Sequence, residues 1–288
     1  MLAARTFWLG AACDLPAIPT PLNFAFAGFS YITGRVGQKL LEESLPTLPG
    51  AKNVVVQGEG VALGGYLFYP PDLDEAAPTV LLLHGHGGNA LDMAEPARLL
   101  SQFGYIALSL SMRGWRGSGG VDDCGLRQTD DAVKVLDWLS AQPEVNHERI
   151  GIFGTSQGGQ VALLTGSKTH RLKAIVAYKP VTDIEQWQRT TSHSGIPSYI
   201  STICQPESRL RSPVDHAAAI DAPVLLIHGS VDMRVPTEQS TLMKEALLRA
   251  GKQVELKLIE GAMHSFGPEG VKIAWAWTLD FLARHLKD

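Results

Sequence analysis

The sequence predicts an α/β architecture, a mostly parallel central sheet with helices on both faces. Three observations carry this. Short apolar runs recur at 79–83, 105–110, 149–153, 174–177, 224–227 and 254–259, as in strands buried on both faces. Between them, Ala132, Val133, Leu136 and Leu139, then Leu242, Ala246 and Leu247, fall at helical spacing. Strands alternating with helices give a parallel sheet. Finally, a glycine-rich junction, Gly154-Thr155-Ser156-Gln157-Gly158-Gly159, separates one apolar run from a helical stretch beginning at Gln160.

Taken in order, residues 1–50 hold no catalytic pattern. Phe26, Phe29, Tyr31, Ile32, Val36 and Leu40 among small residues predict a helical N-terminal extension packed on the main domain. A flap over the active site or a dimer contact is the sharper alternative. Residues 51–288 form the predicted main domain. Val54-Val55-Val56 and the run 61–69 flank Gly58-Glu59-Gly60, and read as an antiparallel hairpin at a sheet edge. The alternating strands and helices follow. The stretch 181–212 breaks the rhythm: it has no clean strand, and Pro197, Pro206 and the adjoining Pro213 interrupt it. An insertion after a strand lies at the carboxyl ends, where ligands bind in such sheets. It therefore reads as a small lid or cap, with Trp187 and Tyr199 as its substrate-binding candidates. Trp275, Leu279 and Leu282 mark a final helix over 271–286.

The composition narrows the function. With 288 residues, 45% hydrophobic and 19% charged, the chain can bury a large core, and the composition argues against disorder. A net charge of −4 without a basic run argues against nucleic acid as a partner. No apolar run reaches the ~20 residues needed to span a membrane. Cys13, Cys124 and Cys204 have no metal-like spacing, and an odd, sparse set does not read as a disulfide framework. That leans towards a reducing, cytoplasmic compartment. Export is the alternative: Ala11-Ala12-Cys13 is similar to a lipoprotein cleavage site, although Gly10 stands where a larger apolar residue is usual. No metal or organic cofactor is implied, and oligomeric state is left open.

The chemistry gathers at strand ends. A strand turning sharply into a helix strains the central residue and crowds its neighbours, which residues lacking a Cβ relieve. Ser156 then stands clear as a nucleophile, and the N–H of Gln157 lies at a helix N-terminus, suited to an oxyanion. A serine needs a base, and the base needs an orienting partner. After the 79–83 run comes His84-Gly85-His86-Gly87-Gly88-Asn89. The N–H of His86 is the second oxyanion candidate, while His84 reads as a buried, hydrogen-bonded loop residue. After the 224–227 run comes Asp232, the candidate acid, with Asp183 as its rival; after the 254–259 run comes His264, the candidate base.

The chain order Ser156, Asp232, His264 resembles that of the α/β-hydrolase superfamily. The resemblance covers roughly residues 52–288. More narrowly, the chain is similar to the catalytic domain of the prolyl oligopeptidase-like group, which includes dipeptidyl aminopeptidases and acylaminoacyl-peptidases. That likeness rests on Ser212-Pro213-Val214-Asp215-His216-Ala217, the stretch from Ile220 to Gly229, Val235-Pro236, Gly251-Lys252-Gln253-Val254-Glu255 and His264-Ser265-Phe266. It also rests on Arg113-Gly114-Trp115-Arg116-Gly117-Ser118-Gly119-Gly120. The resemblance implies the same triad and an α/β-hydrolase fold. Peptidases of that group carry a large β-propeller before this domain, whereas here residues 1–50 precede it. The first expectation is therefore a serine carboxylesterase forming an acyl-enzyme on Ser156. A serine peptidase or acyl-peptide hydrolase is the second, and a non-catalytic hydrolase-like binding protein the third. The partner expected is a small-molecule ester or short peptide.

Overall fold

The computed structural model describes residues 44–205 and 207–287. The helix expected around Phe26–Leu40, and the rest of the N-terminal extension up to residue 43, lie outside them.

Eight strands form one sheet: β1 (Lys52–Gln57), β2 (Ala62–Phe68), β3 (Ala77–Leu83), β4 (Ile106–Leu110), β5 (Val145–Thr155), β6 (Leu172–Tyr178), β7 (Val224–Gly229) and β8 (Val254–Ile259). Their spatial order is β1-β2-β4-β3-β5-β6-β7-β8. The expected hairpin is present at the edge: β1 pairs antiparallel with β2, Lys52 opposite Leu67, and β2 pairs antiparallel with β4. Every other pairing is parallel. The carboxyl ends of β3, β5, β6, β7 and β8 therefore open on one side.

The helices are α1 (Ala94–Gln102), α2 (Leu126–Ser140), α3 (Gln157–Lys168), α4 (Ile184–Thr190), α5 (Ile196–Tyr199), α6 (Glu238–Arg249) and α7 (Gly267–Leu286). Successive strand residues explain why the runs are apolar without a break. Leu81, Ile152, Ile175 and Leu226 face a core shared with α2, α3 and α6. Val80, Phe153, Val176 and Leu225 face a second core shared with α1 and α7. Side chains alternate along a strand, so the central strands, covered on both faces, are apolar at nearly every position. In α2, Val135 is fully buried beside Ala132, Leu136 and Leu139, whereas Val133 is only half-buried.

A buried ion pair fixes the loop after β4. Arg113 Nε and Nη2 each lie 2.8 Å from an oxygen of Asp131 in α2, with side chains 5% and 2% exposed. Arg113 Nη2 also donates to Glu59 O, and Glu59 N–H donates to Asp131 Oδ1. The edge hairpin, the β4 loop and α2 thus share one charge cluster.

The lid segment folds as short helical pieces rather than strands: α4, α5, a π-helical turn Ile200–Cys204 and a 3₁₀ turn Ser208–Arg211. It has its own small core of Val181, Ile184, Trp187, Ile200, Cys204, Val235 and Cys124. Here the structure corrects the reading of the cysteines. Cys124 and Cys204 form a disulfide with Cα atoms 5.3 Å apart, 80 positions apart in sequence. Sequence spacing conceals this pair because only the folding of the lid over the β4–α2 loop brings the two together.

Candidate active site

The junction after β5 has the geometry that its glycines imply. Ser156 has φ 56° and ψ −118°, in the region that non-glycine residues rarely adopt. A Cβ on Gly154 would run into the carbonyl oxygen of Gly158, and one on Gly158 would run into the carbonyl oxygens of His84 and Leu83. Only hydrogen at these positions allows β3, the elbow and α3 to approach. Gln157 is the first residue of α3, so its N–H has no acceptor within the helix.

Two loops, after β7 and after β8, bring the remaining parts of a hydrogen-bonded chain to this point. Ser156 Oγ lies 3.2 Å from His264 Nε2, and His264 Nδ1 lies 2.6 Å from Asp232 Oδ2. A carboxylate only accepts, so Nδ1 carries the proton and Nε2 is left to accept the serine O–H. Asp232 Oδ1 accepts the N–H groups of Arg234 and Val235, and its side chain is fully buried. Behind it, His228 Nε2 lies 3.4 Å from Oδ2. His228 is itself held by Val235 O and Ser240 Oγ.

The electrostatics follow from burial and these partners. Burial alone raises the Asp232 pKa, but hydrogen bonds from His228, His264 and the backbone hold it well below the usual carboxylate range. For His264, burial is the largest influence and pushes the pKa down to about 4; Asp232 opposes this, while Lys179 and Arg234 add to it. Lys179 follows β6 at φ 40°, with Nζ 4.3 Å from the centre of the Phe266 ring. Burial lowers its pKa to about 8 against the opposing pull of Asp232. In this arrangement a neutral imidazole can take the Ser156 proton, and a fixed carboxylate stabilises the imidazolium that results.

Asp183, the rival acid, lies elsewhere. It caps α4, its Oδ1 accepting Gln186 N–H at 2.8 Å. His84 is fully buried and satisfied on both nitrogens, Nδ1 donating to Gly85 O at 2.7 Å and Nε2 accepting Met112 N–H at 2.9 Å. Of the two lid aromatics, Tyr199 reaches the site: its ring centre is 4.4 Å from that of His86. Trp187 does not. It is 7% exposed in the lid core, and its indole N–H donates to Arg234 O at 2.8 Å. Trp187 thus ties the 181–212 segment to the loop carrying Asp232. The sequence reading missed Asp122 and Lys179. Both follow a strand at its carboxyl end, a positional signal, but many loop residues share it.

Among the described residues no group of three His, Cys, Asp or Glu side chains is placed to hold a metal. No helix among them is long and apolar enough to cross a membrane.

A family model described as the prolyl oligopeptidase family matches residues 91–288. The chain belongs to the prolyl oligopeptidase family. Among its family relatives is the uncharacterized peptidase YtmA of Bacillus subtilis, 30% identical over 203 residues, covering 66% of this chain and 76% of that protein. Another is the uncharacterized peptidase YuxL of the same organism, 28% identical over 232 residues, with 74% of this chain and 35% of that protein covered. The acylaminoacyl peptidase of Pyrococcus horikoshii superposes with TM-score 0.72 at 22% identity over 83% of this chain and 42% of that one. The chain thus spans little more than a third of YuxL and two fifths of the acylaminoacyl peptidase. It has the α/β-hydrolase fold of the family's catalytic domain and belongs to the serine hydrolases.

Proposed function

We propose that this prolyl oligopeptidase-family chain hydrolyses short peptides or acylated peptides, and more easily their ester counterparts, through an acyl-enzyme on Ser156. The observation that carries the reading is the continuous hydrogen-bonded chain from Ser156 through His264 to Asp232. His264 takes the hydroxyl proton as Ser156 attacks the carbonyl carbon. The N–H groups of Gln157 and His86 hold the oxyanion, and His264 returns the proton to the departing group. Water, deprotonated by the same imidazole, then releases the acid and restores Ser156. Tyr199, its ring beside that of His86, is the substrate-binding candidate of the lid.

Esters came ahead of peptides in the sequence reading, but the relatives carry the names of peptidases, which moves peptide bonds to first place. An assembled triad also weighs against a purely binding role.

The test is fluorophosphonate labelling of the native protein and of Ser156→Ala, followed by turnover of peptidyl anilides and p-nitrophenyl esters in parallel. Labelling at Ser156, with a loss of roughly 10⁶-fold in turnover for the variant, is the expected result. Ester turnover without anilide cleavage reverses the substrate order. No labelling of the native protein sinks the catalytic reading.

A further inference from the structure

One buried carboxylate near the nucleophile belongs to none of the steps above. Asp122 lies in the loop between β4 and α2, its side chain 15% exposed. Its Oδ1 accepts Gln157 Nε2–H at 2.7 Å, Gln128 Nε2–H at 3.1 Å and the Cys124 N–H at 3.2 Å. Its Oδ2 accepts the Tyr199 O–H at 2.7 Å and lies 3.4 Å from His86 Nδ1. Besides Cys124 of its own loop, these partners come from four places: the loop after β3, the start of α3, α2 and the lid. The His86 ring is held between Tyr199, at 4.4 Å, and Trp115, edge-on at 4.9 Å. Gln157 Nε2 also donates to the Tyr199 oxygen at 3.1 Å. Two residues assigned to the oxyanion and one lid aromatic therefore meet at a single charged group.

The charge is needed for this convergence. Burial works to raise the Asp122 pKa, yet His86, Tyr199 and Gln157 together lower it, so the group remains a carboxylate. Burial, and then the neighbouring Asp122, push the Tyr199 pKa well up, so its hydroxyl remains a donor. An asparagine at this position has one acceptor oxygen where aspartate has two, so it cannot serve both the three N–H donors on Oδ1 and the Tyr199 O–H and His86 on Oδ2. Aspartate and asparagine, nearly equal in shape, therefore differ sharply in what they hold together.

We propose that Asp122 is a positioning residue that ties the seating of Tyr199 to the assembly of the oxyanion site, because the same carboxylate holds Tyr199, Gln157 and His86. The proposal rests on the reading of Ser156 as nucleophile and of His86 and Gln157 as oxyanion donors. It predicts that Asp122 and Tyr199 act as one unit. Residues in one hydrogen-bonded network are non-additive, whereas independent ones multiply their effects.

The experiment is a double-variant cycle on the full chain with Asp122→Asn, Tyr199→Phe and both together. Turnover of a small p-nitrophenyl ester is expressed per fluorophosphonate-titrated Ser156, so that unfolded protein does not count. Asp122→Asn is expected to lower kcat by about 10-fold or more, less than the roughly 10²–10³ of a lost oxyanion donor, with KM for the small ester changed less than twofold. Tyr199→Phe, which removes a single oxygen and keeps the ring on His86, is expected to lower kcat in the native background and to have no further effect in the Asp122→Asn background. Losses that multiply overturn the coupling, as does an Asp122→Asn enzyme with kcat within twofold of native. If Asp122→Asn yields no titratable sites, Tyr199→Phe alone decides: unchanged kcat per site overturns the proposal. Failure of the native protein to label overturns the catalytic reading itself, and this proposal with it.

Discussion

Acidification should leave Ser156 with a working base well below the range of an ordinary histidine. His264 is 13% exposed, and its pKa is depressed from 6.5 to about 4. That displacement corresponds to about 3 kcal/mol against the imidazolium, at ~1.4 kcal/mol for each tenfold change in proton affinity. Only the neutral ring accepts the serine proton, so kcat/KM should remain level from pH 8 down to about 5 and be halved near pH 4. Lys179 contributes one of the charges responsible. Replacing it, Lys179→Met, removes positive charge near the ring, so protonation becomes easier and the acid limb moves up. A unit charge several ångströms away, at an effective dielectric of about 20, contributes on the order of one pH unit. Stability changes over the same interval. His84 is also depressed to about 4, burial being the main cause. Between pH 6.5 and 4 the unfolded chain binds protons at both histidines and the folded chain does not, so stability is highest above 6.5 and falls with the pH. Activity is therefore read in brief assays after a jump from pH 7.5, with circular dichroism confirming the fold at each point. A kcat/KM midpoint at or above 6.5 in folded protein refutes the reasoning, as does a limb that stays still or moves down in Lys179→Met.

Other consequences concern stability and the elbow. Arg113→Met strands the buried Asp131 carboxylate and should cost about 3–5 kcal/mol in urea unfolding; Arg113→Met combined with Asp131→Leu should recover most of it, and a single-variant loss under about 1 kcal/mol contradicts the buried-pair account. Gly158→Ala drives a methyl into the His84 and Leu83 carbonyls, so we expect a loss of at least about 1–3 kcal/mol and much slower fluorophosphonate labelling; native labelling rates would show that the close approach is not needed. Thr278 accepts the Tyr178 hydroxyl at 2.6 Å and donates to Ala274 O. Thr278→Val leaves that hydroxyl unpaired in the core at about 1–3 kcal/mol, and adding Tyr178→Phe should restore part of the loss in a thermal melt.

The parts of the molecule readable in advance are those whose cause is local. The elbow is written in a few residues, because the strain at Ser156 and the contacts at Gly154 and Gly158 arise between chain neighbours and adjoining strands. Strands covered on both faces announce themselves by near-continuous apolarity, so β3, β5 and β7 and the loops following them can be placed, Asp232 among them; the edge strand β8 is only partly covered and carries Glu255 and Lys257, but Val254, Leu256 and Leu258 still mark it and the loop with His264. Side-chain direction is not local. Trp187 and Tyr199 look equivalent in a strandless stretch, yet one turns into the lid core and the other towards His86. Asp122 reads as one more loop acid until α2, α3 and the lid supply its donors. The Cys124–Cys204 pair is hidden for the same reason, since its partners are brought together only by tertiary structure.

That disulfide also divides the chain unequally. The covalent ring from Cys124 to Cys204 contains Ser156 and Gln157 and leaves out His86, Asp232 and His264. Inside the ring lies a stretch with Ser192, Ser194, Gly195, Pro197 and Ser198 exposed, an inviting place for a protease. Scission there opens the ring without releasing a fragment: the nucleophile and its base stay on one covalently joined particle. Exposure of the same nicked molecule to thiol yields two polypeptides, one ending with Ser156 aboard and the other carrying Asp232 and His264. The lasting unity of the catalytic set, after damage at the lid, is thus decided by sulfur chemistry rather than by the continuity of the backbone.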